Sequence, residues 1–147
     1  MNRDNFYTAA LEEAKKGLKS GGIPIGSVIV YEGKIIGHGH NQRIQKGSPI
    51  LHGEMDAFEN AGRQKASVYR NSVLYTTLSP CSMCTGAILL YEIPKVIIGE
   101  NQNFKGAENL LKESGVEVVV LNDEETIKMM GEFIATFPEV WNEDIGE

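Results

Sequence analysis

A chain of 147 residues, 41% hydrophobic and 23% charged, has an ordinary globular composition and enough length to bury one core. With 14 basic against 20 acidic residues, net −6, it lacks the basic field that a non-specific grip on nucleic acid needs. No apolar run reaches the roughly 18 residues of a membrane span, and the charged amphipathic start MNRDNFYTAALEEAKKG does not read as a signal peptide, so an intracellular, cytoplasmic protein is expected.

In chain order, Phe6, Ala10, Ala14 and Leu18 recur every four residues and predict a helical face, ended by Gly21-Gly22. Residues 24–31 and 34–39 read as strands joined by a turn at Glu32-Gly33. A helix is predicted over 52–63 and a strand over 72–78. Ser79-Pro80 reads as a helix start, Ser as N-cap and Pro at the first helical position, with the helix running to about Tyr91. Residues 95–100 and 116–121 read as strands around a short helix at 107–114. Ile127, Met130, Phe133, Ile134 and Phe137 mark a last helix, and a short tail follows Pro138. Met129 and Met130 read as core. The order α-β-β-α-β-α-β-α-β-α predicts an α/β three-layer αβα sandwich, a mixed, largely parallel five-stranded sheet with helices on both faces. No linker or internal repeat interrupts it, so residues 1–147 are expected to form a single domain.

The only two cysteines, Cys81 and Cys84, stand in S-P-C-S-M-C-T. A bridge across two residues would be strained. A redox pair or a metal site are the other readings. At i and i+3 of a helix start the thiols share one face, and the positive helix end favours thiolates. Zinc then needs a third protein ligand, with a fourth position open if the site is catalytic. His52, at the start of its own predicted helix, is the candidate. Glu54 lies two residues on. In a regular helix the two would point about 200° apart, so both can face one metal-bound water only where the helix begins. The pattern His52-Gly53-Glu54 … Pro80-Cys81-Ser82-Met83-Cys84 has the H-x-E … P-C-x-x-C spacing of zinc-dependent base deaminases, in which the Glu is an acid–base group and not a ligand. Of the other histidines, His38 and His40 share a face of a strand end, and read as surface or hydrogen-bonded groups because three ligands suffice. Asn41 is a turn residue or an amide facing the substrate. Phe104 reads by default as a packing aromatic.

The zinc motifs resemble the cytidine deaminase superfamily. More narrowly, G-G-I-P-I-G (21–26), G-H-N-Q-R (39–43), Q-K-G-S (45–48), L-H-G-E (51–54), the stretch from Leu74 to Ile88, V-I-I-G-E-N (96–101), N-F-K (103–105) and the terminal E-D-I-G-E (143–147) look like the small fungal-type cytosine deaminases. The resemblance implies the three-layer cytidine deaminase-like fold, a homodimer, and one Zn²⁺ per chain on His52, Cys81 and Cys84. It implies Glu54 as proton shuttle in the hydrolytic deamination of free cytosine to uracil and ammonia. It further implies substrate contacts from Asn41, the Gly53 backbone N–H and Asp144. Phe104, Trp141 and Ile145 would line a lid formed by 138–147. One departure stands out: Asn142 follows Trp141 where an aromatic is expected. The rivals are a tRNA adenosine deaminase, a guanine or other small-base deaminase, and a non-catalytic zinc-stabilised binding module. The first would want a basic approach surface and an Ala at Gly53, and the last gives Glu54 no task. The expected partner is a small base, with no nucleic acid and no membrane.

Overall fold

The computed structural model describes residues 4–147. Helix α1 (Asn5–Lys19) is capped by the Asp4 side chain, which accepts from the Tyr7 N–H. Strands β1 (Gly26–Tyr31) and β2 (Lys34–His40) form a hairpin. Its turn has positive φ at both Glu32 (49°) and Gly33 (75°), the type I′ geometry that matches strand twist. Then come α2 (Arg43–Lys46), α3 (Gly53–Ala61), α4 (Ala66–Arg70), β3 (Ser72–Leu78), α5 (Ser82–Leu90), β4 (Lys95–Glu100), α6 (Glu108–Glu113), β5 (Glu117–Val120), α7 (Glu124–Thr136) and α8 (Pro138–Asp144). The sheet order is β2-β1-β3-β4-β5. β1 is antiparallel to both neighbours, whereas β3, β4 and β5 run parallel.

Alternation along the strands builds two cores. Ile29, Leu74, Val96 and Ile98 point to one face and pack on Ala57, Ile88, Ile93 and Leu111, which belong to α3, α5, α6 and the turn after α5. Val28, Val30 and Tyr75 point to the other and pack on Tyr7, Ala10 and Leu11 of α1, with Met129 of α7 alongside. The three layers and the mixed five-stranded sheet are those the sequence predicts. A third cluster, Ile23, Ile25, Leu78, Met130, Phe133 and Trp141, sits at the end of the sheet where α7 and α8 cover it.

Three details differ from expectation. The buried stripe of α1 is Tyr7, Ala10, Leu11, Ala14 and Gly17, while Leu18 is 41% exposed. Two short helices, α2 and α4, occupy segments read as connections. The segment after Pro138 is itself helical, because proline is well suited to the first helical position and there begins α8.

One close approach sets up the site. A Cβ at Gly37 would overlap the Ala57 carbonyl, and one at Gly39 would lie 2.6 Å from the Ala57 nitrogen. The absent side chains let α3 lie directly on β2, which fixes where the N-terminal end of α3 points.

Candidate active site

Two helix starts meet at the third cluster. His52 is the N-cap of α3 and Cys81 the N-cap of α5, both with extended backbone, and neither side chain caps its own helix. They turn toward each other instead. His52 Nδ1 lies 3.4 Å from Cys81 Sγ and 3.7 Å from Cys84 Sγ. The three ligand atoms fall within 4.8 Å of one another. Glu54, two residues past the N-cap of α3, is 3% exposed and lines the same pocket. The two-residue spacing of His52 and Glu54 is thus the spacing of an N-cap and a second helical residue, not of two mid-helix positions.

The expected N-cap role of Ser79 is not seen. α5 begins at Ser82, and the Ser79 hydroxyl donates to Glu108 Oε2 at 2.6 Å, so it is not available to a helix N–H. Ser79 lines the pocket. His38 and His40 stay off the cluster: His38 Nδ1 faces Glu13 at 3.1 Å and His40 Nδ1 faces the Asn41 carbonyl at 3.2 Å.

The electrostatics ask for a cation. Hydrogen bonds with Cys84 and His52 pull the Cys81 thiol down to about 4. Cys84, hydrogen-bonded to Cys81 and buried, is pushed well up. Burial alone would lower His52, but the hydrogen bond to Cys81 and the charges of Asp144, Glu54 and Cys81 raise it to about 9. Burial lifts Glu54 to about 7, against the pull of His52. Two thiols and two carboxyls therefore crowd one imidazole. Zinc fits this donor set: bonds of about 2.0–2.1 Å to nitrogen and 2.3 Å to sulfur at tetrahedral angles separate N and S by about 3.5 Å, as found here.

The far side of His52 faces the tail. His52 Nε2 is 3.4 Å from Asp144 Oδ1. Asp144 is 7% exposed. It accepts from Asn41 Nδ2 at 2.8 Å, and Arg43 Nη1 lies 3.8 Å away. Burial raises its pKa, opposed by His52, Asn41 and Arg43. The Arg43 N–H donates to Asn41 Oδ1 and so turns the Asn41 amide NH₂ toward Asp144. Phe104 meets Trp141 edge-on at 5.7 Å, and both line the pocket with Ile145. The space left is narrow, with only about 10 Å³ open to the centre of a water molecule. Asn142 is exposed, so the departure from an aromatic there leaves the inward face of Trp141 and Asp144 intact.

Of the ten site residues named from the sequence, His52, Glu54, Cys81, Phe104, Trp141, Asp144 and Ile145 line the pocket. Cys84 lies behind Cys81, Asn41 reaches the pocket through Asp144, and Gly53 contributes its backbone at the start of α3. Ile25, Leu78 and Ser79 complete the wall and were not singled out, although Ser79 stands two residues before Cys81.

The sequence profile of the cytidine and deoxycytidylate deaminase zinc-binding region matches residues 1–100. This chain belongs to that family. It is 60% identical over 139 residues to the cytosine deaminase of Candida albicans, covering 94% of this chain and 93% of that one. It is 46% identical over 108 residues to a tRNA-specific adenosine deaminase of Streptococcus pyogenes serotype M18, covering 71% and 67%. A solved structure from a study of A-to-I editing by tRNA:A34 deaminases superposes with a TM-score of 0.74 at 25% identity, over 86% of this chain and 99% of that one. The chain is a zinc-dependent deaminase, with the His/Cys/Cys cluster suited to one zinc.

Replacing Cys84 by Ala is expected to remove both metal and activity, read by metal analysis of the purified variant beside the wild type. Full zinc occupancy with normal turnover would overturn the ligand set.

Proposed function

We propose that the chain hydrolyses free cytosine to uracil and ammonia. The observation that carries this reading is the position of Asp144. Fourth from the end of the sequence, it is buried against His52 on the wall of a narrow pocket that α8 closes, so the tail must open to admit a base. Free cytosine has an N1–H for that carboxylate to accept. In cytidine the same nitrogen holds the sugar, which would collide with α8. The 60% identity to a cytosine deaminase over nearly the whole chain supports the same substrate. The residue between His52 and Glu54 is Gly53, not the alanine expected of the tRNA-acting rival.

His52, Cys81 and Cys84 would hold zinc, which would supply a water of lowered pKa. Glu54 would take one proton from the attacking water and pass it to N3 as the water oxygen bonds to C4. It would then take the second proton from that oxygen and give it to the amino nitrogen, and the C4–N bond breaks to release ammonia. A carboxyl raised by burial to about 7 suits a group that must act as base and then as acid near neutral pH. Asp144 accepts from N1–H, while Asn41 and the Gly53 N–H, the latter without an acceptor in its own helix, donate to the base oxygen. Phe104, Trp141 and Ile145 exclude water while the tail, residues 138–147, is closed, and its opening releases product. We place all this in a single domain that pairs as a homodimer, which exposed Ile50, Leu90 and Tyr91 (54%, 72% and 43%) support. A cytoplasmic location accords with two free cysteines. No helix among the described residues is long and apolar enough to cross a membrane.

Glu54→Gln is expected to keep its zinc and lose at least about 10²–10⁴-fold in turnover, the usual worth of a general acid–base group. Near-normal rates would exclude it as the shuttle. Ultraviolet steady-state assays against cytosine, cytidine, adenine and guanine test the substrate. Cytosine should exceed cytidine by about 10⁴-fold, because a site built around a substrate N–H leaves its acceptor unpaired with an analogue lacking one. Deleting residues 141–147 should abolish cytosine turnover. Equal use of both substrates, or a truncated protein that works normally, would sink the proposal.

A further inference from the structure

Glu108 is a buried acid with no part in the chemistry above. It is 1% exposed, at the start of α6, and both its oxygens accept hydrogen bonds. Ser79 Oγ donates to Oε2 at 2.6 Å and Asn101 Nδ2 donates to Oε1 at 3.2 Å. The Gly106 N–H in turn donates to Ser79 Oγ at 2.9 Å. Burying a carboxyl in this way is costly unless its hydrogen bonds hold something in place.

What they hold is two walls of the pocket. Asn101 and Gly106 bracket Phe104, so the loop that carries Phe104 is tied to one carboxyl directly at Asn101 and through Ser79 at Gly106. Ser79 is itself on the pocket wall, two residues before the ligand Cys81. The Gly106 backbone presses on Pro80 so closely that a Cβ would overlap its carbonyl, and the Ala107 N–H donates to that same oxygen at 3.2 Å. Phe104 then passes the position on to Trp141 of α8 through their edge-on contact.

We propose that Glu108 is a positioning residue: it locks the Ser79-Pro80 turn to the Phe104 loop and so sets the aromatic wall against which the base and the C-terminal helix close. The inference rests on the cytosine reading for its substrate, not for its geometry. It separates two functions of neighbouring groups. Loss of Glu108 should loosen the hold on the base and leave the metal, whose ligands come from α3 and α5, in place.

The chain offers a direct probe, because Trp141 is its only tryptophan. Glu108→Ala is expected to keep about one zinc per chain, to shift Trp141 emission to the red with faster quenching by acrylamide, and to raise KM for cytosine about tenfold with kcat within about threefold, the scale of a small misplacement passed on from a distance. Glu108→Gln should restore most of both readouts. Its amide oxygen can accept from Ser79, and Asn101 can turn its own amide to offer an oxygen. Should Glu108→Ala fail to fold, Asn101→Ala removes the other hydrogen bond of Glu108 at a residue off the pocket wall and should give the same two changes. Unchanged KM and unchanged emission in a folded variant, or loss of zinc, would overturn the assignment. If the wild-type chain did not deaminate cytosine, the substrate reading would fall and the Trp141 emission would still decide on Glu108.

Discussion

The site depends on two helix N-termini brought face to face. His52 ends an extended segment and starts α3, and Cys81 does the same for α5. Each start leaves backbone N–H groups without intrahelical partners and puts a positive dipole end at the same spot. That end favours the thiolate at Cys81. Because His52 and Cys81 leave their own helices uncapped, Nδ1 and the two sulfurs can converge to 3.4–3.7 Å. The sheet fixes the approach. α3 rests on β2 through Gly37 and Gly39, and α5 leaves the C-terminal end of β3, in the parallel half of the sheet. Side chains at either glycine would push α3, and His52 with it, away from the thiols.

Around this cluster the chain buries acids for different ends. Glu54 stands inside the pocket with its pKa raised by burial. Asp144 enters from the far end of the sequence and meets the opposite edge of the His52 ring. One imidazole thus links the two thiols to the tail: Nδ1 faces the sulfurs and Nε2 faces Asp144. Glu100 is buried too, and its carboxyl accepts from the Asn103 backbone and side chain, next to the loop that Glu108 holds. The net charge of −6 is therefore partly internal to the site and its supports.

Much of this was legible in the sequence where one local rule acts alone. Alternation gave the strands, and the zinc motif picked out His52, Cys81 and Cys84, which the structure brings together at two helix starts. What was not legible involves competition between distant groups. A strict every-fourth-residue count on α1 drifts by about 40° each step at 100° per residue, which is why Leu18 falls off the buried face on which Tyr7 and Leu11 lie. Pro138 stops α7 and starts α8, and only the packing of Trp141 on the third cluster tells the two roles apart. Ser79 has the residue type of a helix cap, yet a carboxyl 29 positions later takes its hydroxyl. No local signal carries that choice, since the acceptor becomes a neighbour only after β4 has joined β3.

The ligand set at the two helix starts is tested most directly by zinc K-edge X-ray absorption on the purified, fully loaded protein. Two sulfur neighbours at about 2.3 Å and two nitrogen or oxygen neighbours at about 2.0–2.1 Å, with the signature of a single imidazole, are expected. A shell with fewer than two sulfurs, or with a second imidazole from His38 or His40, would contradict the account.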